Sequence, residues 1–266
     1  MKTYQERARG ILVVAALLLF AAPALAQNPR LPGVGADDRR VAVDASQAPW
    51  RSLVKVQNNL GGRCTGVLVA PRRVVTAGHC LLNRARKFLP ASSLHVLFGY
   101  DRGEYREHRA VSALTTGGPF DPGRKAEGLA GDWAVLTLSA DAPAGVEPLP
   151  LARVPPPPGT PLMLGGYSQD KAQIVTADTA CAALGVAGTG KGPLLVHDCN
   201  GTRGVSGAAL LVRNHAEGGG DGRGGGMGWQ VAGIAVAAQA GPAPRNIAVP
   251  AAAFVAAVEE TTSSLR

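Results

Sequence analysis

Short runs of apolar residues, separated by glycine, proline and charged residues, recur along the chain from Leu53 onward. The runs are Leu53–Val56, Thr65–Val69, Val74–Val75, Leu94–Phe98, Trp133–Leu138, Pro161–Leu164, Leu194–Val196, Ala208–Val212, Gln230–Val236 and Ile247–Val249. Each run is too short for a stable helix and is bounded by turn-forming residues, which is typical of β-strands. Many short strands in this arrangement predict an all-β fold, either a sandwich or a barrel.

Two segments depart from this strand pattern. Residues 142–161 are rich in proline, including the consecutive Pro155–Pro158, and proline is excluded from a helix interior and from a central strand. We therefore expect this segment to link two halves of the chain, residues 41–141 and 162–266. Near the C-terminus, the apolar positions within Pro250–Thr261 follow helical spacing and predict a closing helix.

The N-terminus has the features of a secretory signal peptide. Positive charges precede the apolar run Ile11–Phe20, and small residues follow in Ala24-Leu25-Ala26, so we expect residues 1–26 to be removed by cleavage after Ala26. The run is shorter than the roughly 20 residues that a spanning helix needs, which disfavours the alternative of an uncleaved anchor. Residues 27–40 predict a flexible lead-in or a short propeptide. The mature protein should be secreted or periplasmic, with no membrane span.

Composition and charge narrow the possible partners. The chain is 46% hydrophobic and 17% charged, as expected for a globular protein, with a formal net charge of +8. Its basic residues are scattered and its aromatic content is only 5%, whereas a nucleic-acid surface needs a clustered basic face with stacking aromatics. We therefore expect no nucleic-acid partner.

Four cysteines, an even number, suit two disulfides in an oxidising compartment. The alternative is a zinc site formed by Cys64, His79 and Cys80, but the sequence lacks the close C-x-x-C spacings of structural zinc sites. No metal or cofactor is expected.

Three residues have the chemistry of a catalytic triad: His79 in TAGHC, Asp132 in GDWAVL and Ser206 in GVSG. A serine hydroxyl is too weakly acidic to attack a carbonyl unaided, so it needs an imidazole to accept its proton and a carboxylate to orient that imidazole. Asp132 is favoured over Asp101 and Asp121 because it opens an apolar run, where a partly buried carboxylate needs a partner. The chain order His, Asp, Ser is that of chymotrypsin-type folds.

The surrounding residues also resemble the chymotrypsin-like (trypsin-like) serine protease family, particularly its secreted bacterial members. The segments Cys64–Val69 and Val74–Cys80 are similar to that family's cysteine, strand, turn, histidine and cysteine unit, and the resemblance extends over residues 41–258. It implies two six-stranded antiparallel β-barrels with a C-terminal helix, and disulfides Cys64–Cys80 and Cys181–Cys199. It also implies hydrolysis of protein or peptide substrates without a cofactor, by a protein that we expect to be monomeric.

The resemblance assigns further roles around the serine. The backbone N–H groups of Gly204 and Ser206 should form the oxyanion hole, since glycine allows the turn that directs both at one point. The base of the primary specificity pocket falls at Asn200, its mouth at Arg203 and its wall at Val236, Ala237 and Ala238.

Three departures from the family pattern qualify these roles. Val205 stands where animal trypsin-like enzymes carry an aspartate that pairs with a newly freed N-terminus, so we expect activity without a free α-amino group at Val41 or Ala36. Ala208-Ala209 replaces the usual Gly-Pro. A base at Asn200 lacks the carboxylate that a lysine or arginine side chain would need, and Ala235 stands where glutamyl-specific bacterial relatives have a histidine. Small or medium neutral side chains are the expected preference.

The sequence therefore predicts a secreted serine endopeptidase, with two alternatives. The same acyl chemistry would also serve an esterase. A pseudoprotease or binding module would instead hold a partner in the cleft or on the glycine-rich segment 215–228. Three complete triad groups favour an active enzyme, because a binding protein has no physical need for all of them.

Overall fold

The structure, a computed structural model, describes residues 31–118, 128–189, 192–213, 228–239 and 241–263 of the 266-residue chain. The predicted signal peptide, the rival carboxylate Asp121 and nearly all of the glycine-rich segment 215–228 lie outside the described residues. Within the described part of the chain, no helix has the length and apolarity needed to cross a membrane.

Among the described residues, the regular structure consists of antiparallel strands, one short α-helix and six short 3₁₀ turns. The strands are β1 (Val41–Ala42), β2 (Leu53–Asn58), β3 (Arg63–Ala70), β4 (Arg73–Thr76), β5 (Leu94–Phe98), β6 (Glu107–Thr116), β7 (Ala134–Leu138), β8 (Pro161–Gly166), β9 (Thr176–Thr189), β10 (Gly192–His197), β11 (Ala209–Arg213), β12 (Trp229–Ala237) and β13 (Asn246–Pro250). The helix is α1 (Val255–Ser263). Every predicted strand run overlaps a strand, and the closing helix is confirmed.

The strands form two closed barrels. The first has the order β2-β3-β4-β7-β6-β5 and encloses apolar side chains such as Val54, Leu68 and Leu136. The second has the order β9-β10-β13-β12-β11-β8 and closes through pairing of β8 with β9, while β1 adds to the edge at β9. Two six-stranded antiparallel barrels were expected, and the structure confirms them.

An apolar cluster shared by both barrels holds them together. Leu53 and Val67 of the first barrel belong to the same buried cluster as Val175 and Ala209 of the second. The proline-rich segment 142–161 crosses this junction, because Leu149 N–H donates to Leu68 O and Val231 N–H donates to Pro150 O. The two barrels therefore pack directly against each other.

Strands β6 and β9 were not predicted, for two different physical reasons. Most side chains of β6 are exposed or half-buried, so this strand has no apolar run. Strand β9 has the sequence TADTACAALGVAGT, in which small residues replace the larger apolar side chains that mark a buried strand.

The N-terminal segment Leu31–Ala42 differs most from expectation. The sequence predicted a flexible lead-in up to residue 40 and a first barrel starting at Val41, but Val41–Ala42 pair with β9 of the second barrel. Before them, Gly33 N–H donates to Gln239 O and Gly33 O accepts from Gly201 N–H. These bonds make the segment an ordered part of the second barrel's surface. Strands β2 to β7 lie within residues 53–138, and strands β8 to β13 lie within residues 161–250.

Candidate active site

His79 and Asp132 meet because they lie at the ends of paired strands. His79 is in a short 3₁₀ turn, Gly78–Leu81, just after β4, and Asp132 lies just before β7, which pairs with β4. The carboxylate of Asp132 is fully buried, and its Oδ1 accepts the His79 backbone N–H at 2.7 Å while its Oδ2 lies 2.7 Å from His79 Nδ1. Because an ionised carboxylate only accepts, the proton of the neutral ring belongs on Nδ1. Nε2 is then the basic nitrogen.

The disulfide Cys64–Cys80 ties the residue after His79 to the start of β3. The second disulfide, Cys181–Cys199, lies in the second barrel, where it joins β9 to the end of β10. Both predicted pairings are present. Because the sulfurs of Cys64 and Cys80 are bonded to each other, they offer no thiolates for the zinc site that the sequence had left as an alternative.

Ser206 lies on a tight turn between the end of β10 and the start of β11. Its flanking glycines have left-handed backbone conformations, with φ of +90° at Gly204 and +80° at Gly207. A Cβ at Gly204 would overlap the Tyr167 carbonyl oxygen, and one at Gly207 would overlap the Thr65 carbonyl oxygen. The turn therefore packs too closely against both barrels to accept larger residues at these two positions.

Thr65, which sequence reasoning missed, bridges the serine turn to the first barrel. Its backbone N–H donates to Ser206 O at 3.0 Å, and its hydroxyl donates to Gly204 O at 2.9 Å. The same Oγ1 accepts the Tyr167 N–H at 3.0 Å. Thr65 is fully buried and follows Cys64 of the disulfide. Its position next to that cysteine was the only signal in the sequence.

Two backbone N–H groups of the serine turn, those of Gly204 and Ser206, lack an acceptor within the described part of the chain. Buried or half-buried N–H groups are normally paired, so an orphan pair on a serine turn needs an explanation. A developing oxyanion is the acceptor that this arrangement suits.

A cavity of about 370 Å³ opens beside Ser206. Its lining comprises Pro32, Gly201, Thr202, Arg203, Val205, Ser206, Ala235, Val236, Ala237, Ala238 and Asn246. Of the predicted pocket residues, Arg203 and the wall Val236–Ala238 line this cavity. Sequence reasoning missed Pro32, Thr202 and Asn246, because the N-terminal segment and β13 reach the cavity only through the folding of the second barrel.

Asn200, the predicted base of the pocket, does not line this cavity. Its side chain is buried and turned toward the N-terminal segment, where Oδ1 accepts the Gly35 N–H at 2.7 Å and Nδ2 donates to Asp37 O at 3.0 Å. The N-terminal segment, expected to be flexible, thus uses both polar ends of this side chain, and the role of Asn200 as the base of the pocket stays a prediction.

The cavity lining carries a single charged side chain, Arg203, and no carboxylate among the described residues. The nearby Asp198 uses Oδ1 to accept the Ala182 N–H, and Asp178 pairs with Arg39. A lysine or arginine side chain would thus enter without a counter-charge.

Val205, Ala208 and Ala209 fit the interior of the second barrel. Val205 and Ala208 belong to its apolar core, and both alanines are fully buried. No carboxylate is available at position 205 for an ion pair with a free N-terminus.

The other histidines lie in different settings. His95 and His108 face each other on the exposed side of the first barrel, with Nδ1 and Nε2 3.0 Å apart. His197 is fully buried, and neither of its ring nitrogens has a hydrogen-bond partner within the described residues. Burial lowers the pKa of His197 to about 3, so the ring is neutral at physiological pH. His215 lies outside the described residues.

The buried amine of Lys55 does not line the cavity beside Ser206. Lys55 is fully buried, donates from Nζ to Ala172 O at 2.8 Å, and places Nζ 3.4 Å from the centre of the Tyr100 ring. Burial lowers the pKa of Lys55 to about 8. The ring face stabilises the charged form and so acts against part of this desolvation.

In sequence, the chain is similar to one protein family and to individual proteins that include the two described next. The sequence profile of the trypsin-like peptidase domain matches residues 64–217. The glutamyl endopeptidase of Bacillus licheniformis is 38% identical over 48 residues, which cover 18% of this chain and 15% of that protein. Serine protease 56 of Mus musculus is 30% identical over 161 residues, covering 54% of this chain and 26% of that protein. The matched regions thus span about a quarter or less of these curated relatives.

Three solved structures show the same fold at low sequence identity. A Glu endopeptidase in complex with MPD has a TM-score of 0.66 at 21% identity, covering 86% of this chain and 99% of that one. The VesB protease of Vibrio cholerae has a TM-score of 0.60 at 17% identity, covering 88% and 68%. Human heparin binding protein has a TM-score of 0.61 at 19% identity, covering 84% and 96%.

Proposed function

Because the chain belongs to the trypsin-like peptidase family, we propose that it is a secreted serine endopeptidase that cleaves peptide bonds with His79, Asp132 and Ser206. The observation that carries this proposal is the two-point contact of the buried Asp132 with the backbone and Nδ1 of His79. That contact fixes the ring orientation and tautomer that a general base for serine needs.

In the proposed mechanism, His79 Nε2 accepts the hydroxyl proton as Ser206 Oγ attacks the substrate carbonyl carbon. The carbonyl oxygen becomes an oxyanion that accepts hydrogen bonds from the Gly204 and Ser206 N–H groups, each typically worth about 10²–10³ in rate. His79 then gives its proton to the leaving amine, which leaves an acyl-enzyme on Ser206. A water molecule, deprotonated by His79, hydrolyses that ester and restores the serine.

Apart from Arg203, the cavity is lined by neutral residues, which supports a preference for small or medium neutral side chains at the residue that precedes the cleaved bond. Valine and alanine form most of one wall, and Thr202 and Asn246 add neutral polar groups. Arg203 would instead favour an acidic side chain at this residue. The Bacillus licheniformis relative is named a glutamyl endopeptidase, which indicates an acidic preference for that protein. A peptide library that varies this residue separates the two preferences, since only the acidic one depends on Arg203.

The proposed compartment rests on the sequence and the disulfides, and two alternative functions remain to be tested. The signal peptide expected at residues 1–26 and the two disulfides support a secreted or periplasmic protein. We further propose that it acts as a monomer on protein or peptide substrates. The fold alone does not decide between catalysis and binding, since one protein that shares it is named for binding heparin. The esterase and binding-module hypotheses are therefore distinguished from the proposal by the experiment below.

Paired peptide and ester substrates of one sequence provide that test, with Ser206→Ala as the control. An endopeptidase cleaves both substrates, and the variant cleaves neither. Cleavage of the ester alone would point to an esterase. Cleavage of neither by correctly disulfide-bonded protein would overturn the proposal in favour of a binding module.

A further inference from the structure

The Arg203 carbonyl group is held by a turn outside the serine loop. Gln169 N–H donates to Arg203 O at 2.6 Å. In a trans peptide the C=O and N–H bonds point in opposite directions, so this contact turns the Gly204 N–H away from Gln169. That N–H is one of the two proposed oxyanion donors. Because glycine restricts its own backbone little, the orientation of this peptide depends on such outside contacts.

The turn that carries Gln169 is fixed by a buried arginine from the N-terminal segment. Arg40 Nη1 and Nη2 donate to Asp170 Oδ1 and Oδ2 at 3.0 and 2.8 Å, directly beside Gln169. The Arg40 side chain is only 2% exposed. Two parallel bonds between a guanidinium and a carboxylate fix geometry as well as charge.

The other edge of the Arg40 guanidinium contacts Asp38. Nε and Nη2 donate to its two carboxylate oxygens, both at 2.8 Å. The hydrogen bond from Arg40 lowers the pKa of Asp38. Burial by itself lowers the pKa of Arg40, but its bonds to Asp38 and Asp170 raise it on balance, so the guanidinium stays charged.

From these contacts we propose that Arg40 is a positioning residue for the oxyanion donor Gly204. Through Asp170 it holds Gln169 against the Arg203 carbonyl. The buried Val205 offers no carboxylate to a free α-amino group, so an internal side chain takes over the task of ordering this turn. The effect on the oxyanion donor, and hence on catalysis, rests on the proposed function. The chain of contacts from Arg40 through Asp170 and Gln169 to the Arg203 carbonyl does not.

The kinetic test uses Asp170→Asn and Arg40→Met. Each variant should lower kcat by about 10- to 100-fold, because one oxyanion donor is no longer aimed, while KM changes by less than about threefold. Affinity for a peptide aldehyde, whose adduct carries an oxyanion, should fall by the same factor as kcat. Asp38→Asn leaves the Asp170 pair in place and should have a smaller effect. Arg153→Met, which removes an exposed pair with Glu259, is the control expected to match the wild type.

Hydrogen exchange of the Gln169 amide tests the link independently of activity. Its protection should fall by about tenfold or more in Asp170→Asn and Arg40→Met and remain in Arg153→Met. Unchanged protection of the Gln169 amide, or an unchanged kcat in Asp170→Asn, would overturn the proposal. If Arg40→Met fails to fold, the isosteric Asp170→Asn still provides the test. If the wild type hydrolyses nothing, the proposed function fails, but the exchange experiment still decides the structural part of the proposal. Loss of Gln169 amide protection in the variants supports the role of Arg40 in holding the Arg203 carbonyl, and retained protection refutes it.

Discussion

The carboxylate of Asp132 does two things at once for His79: one oxygen binds the backbone N–H and the other binds Nδ1. Replacing it by the isosteric amide, Asp132→Asn, puts an N–H donor where an acceptor is needed, so the ring adopts the wrong tautomer. We expect kcat to fall by about 10⁴-fold. Steady-state kinetics on a peptide substrate measure this, with circular dichroism to verify folding. Retention of more than a tenth of the activity would contradict the role given to Asp132.

The buried Lys55 makes a separate prediction, about stability. Because burial lowers its pKa from 10.5 to about 8, the unfolded chain keeps a proton between these values that the folded protein has lost. The free energy of unfolding therefore rises with pH in this window, by at most about 1.4 kcal/mol per pH unit from this group. Urea unfolding between pH 7.5 and 10 should show the rise in the wild type and a flatter curve in Lys55→Met.

Lys87→Met is the matched control for that experiment, since it removes an exposed lysine. Its curve should follow the wild type. If the free energy of unfolding rises equally steeply with pH in the wild type and in Lys55→Met, the buried amine does not cause the rise.

At the scale of elements, the serine turn is held between the barrels by the hydroxyl of Thr65 in β3. Thr65→Val has nearly the same shape but leaves the Gly204 carbonyl without this donor and the Tyr167 N–H without this acceptor. We expect a loss of about 1–3 kcal/mol in the free energy of unfolding, together with a lower kcat/KM. Thermal melts and kinetics measure both.

Thr65→Ser tests whether the hydroxyl is the cause. It keeps the oxygen, so it should recover most of the stability and activity that Thr65→Val loses. If serine and valine are equally damaging, the effect comes from packing of the threonine methyl group rather than from the two hydrogen bonds.

Elements with strong local patterns were predictable, and those fixed by distant contacts were not. The apolar runs revealed the central strands, and the order of His79, Asp132 and Ser206 pointed to their roles. Strand β9 was missed because it contains few large apolar residues and most of its second half, including Leu184 and Val186, is exposed. The contacts of Asn200 were not predictable because its partners, Gly35 and Asp37, belong to a segment whose composition resembles that of a flexible lead-in.

At the scale of the whole molecule, each barrel supplies a different part of the proposed chemistry. The first barrel provides His79 and Asp132, and the second provides Ser206, the cavity and the two N–H groups that have no acceptor among the described residues. The shared apolar cluster fixes how the two barrels meet. The N-terminal segment belongs to this assembly, because its contacts reach the cavity at Pro32 and the serine turn through Arg40.

The most direct test of the central claim is reaction of the mature, disulfide-bonded protein with a fluorophosphonate, followed by mass spectrometry of the adduct. A working triad predicts one phosphonyl group per chain, on Ser206, with no adduct in Ser206→Ala and much slower labelling in His79→Ala. An unlabelled wild type, or labelling that persists in Ser206→Ala, would contradict the assignment of Ser206 as an activated nucleophile.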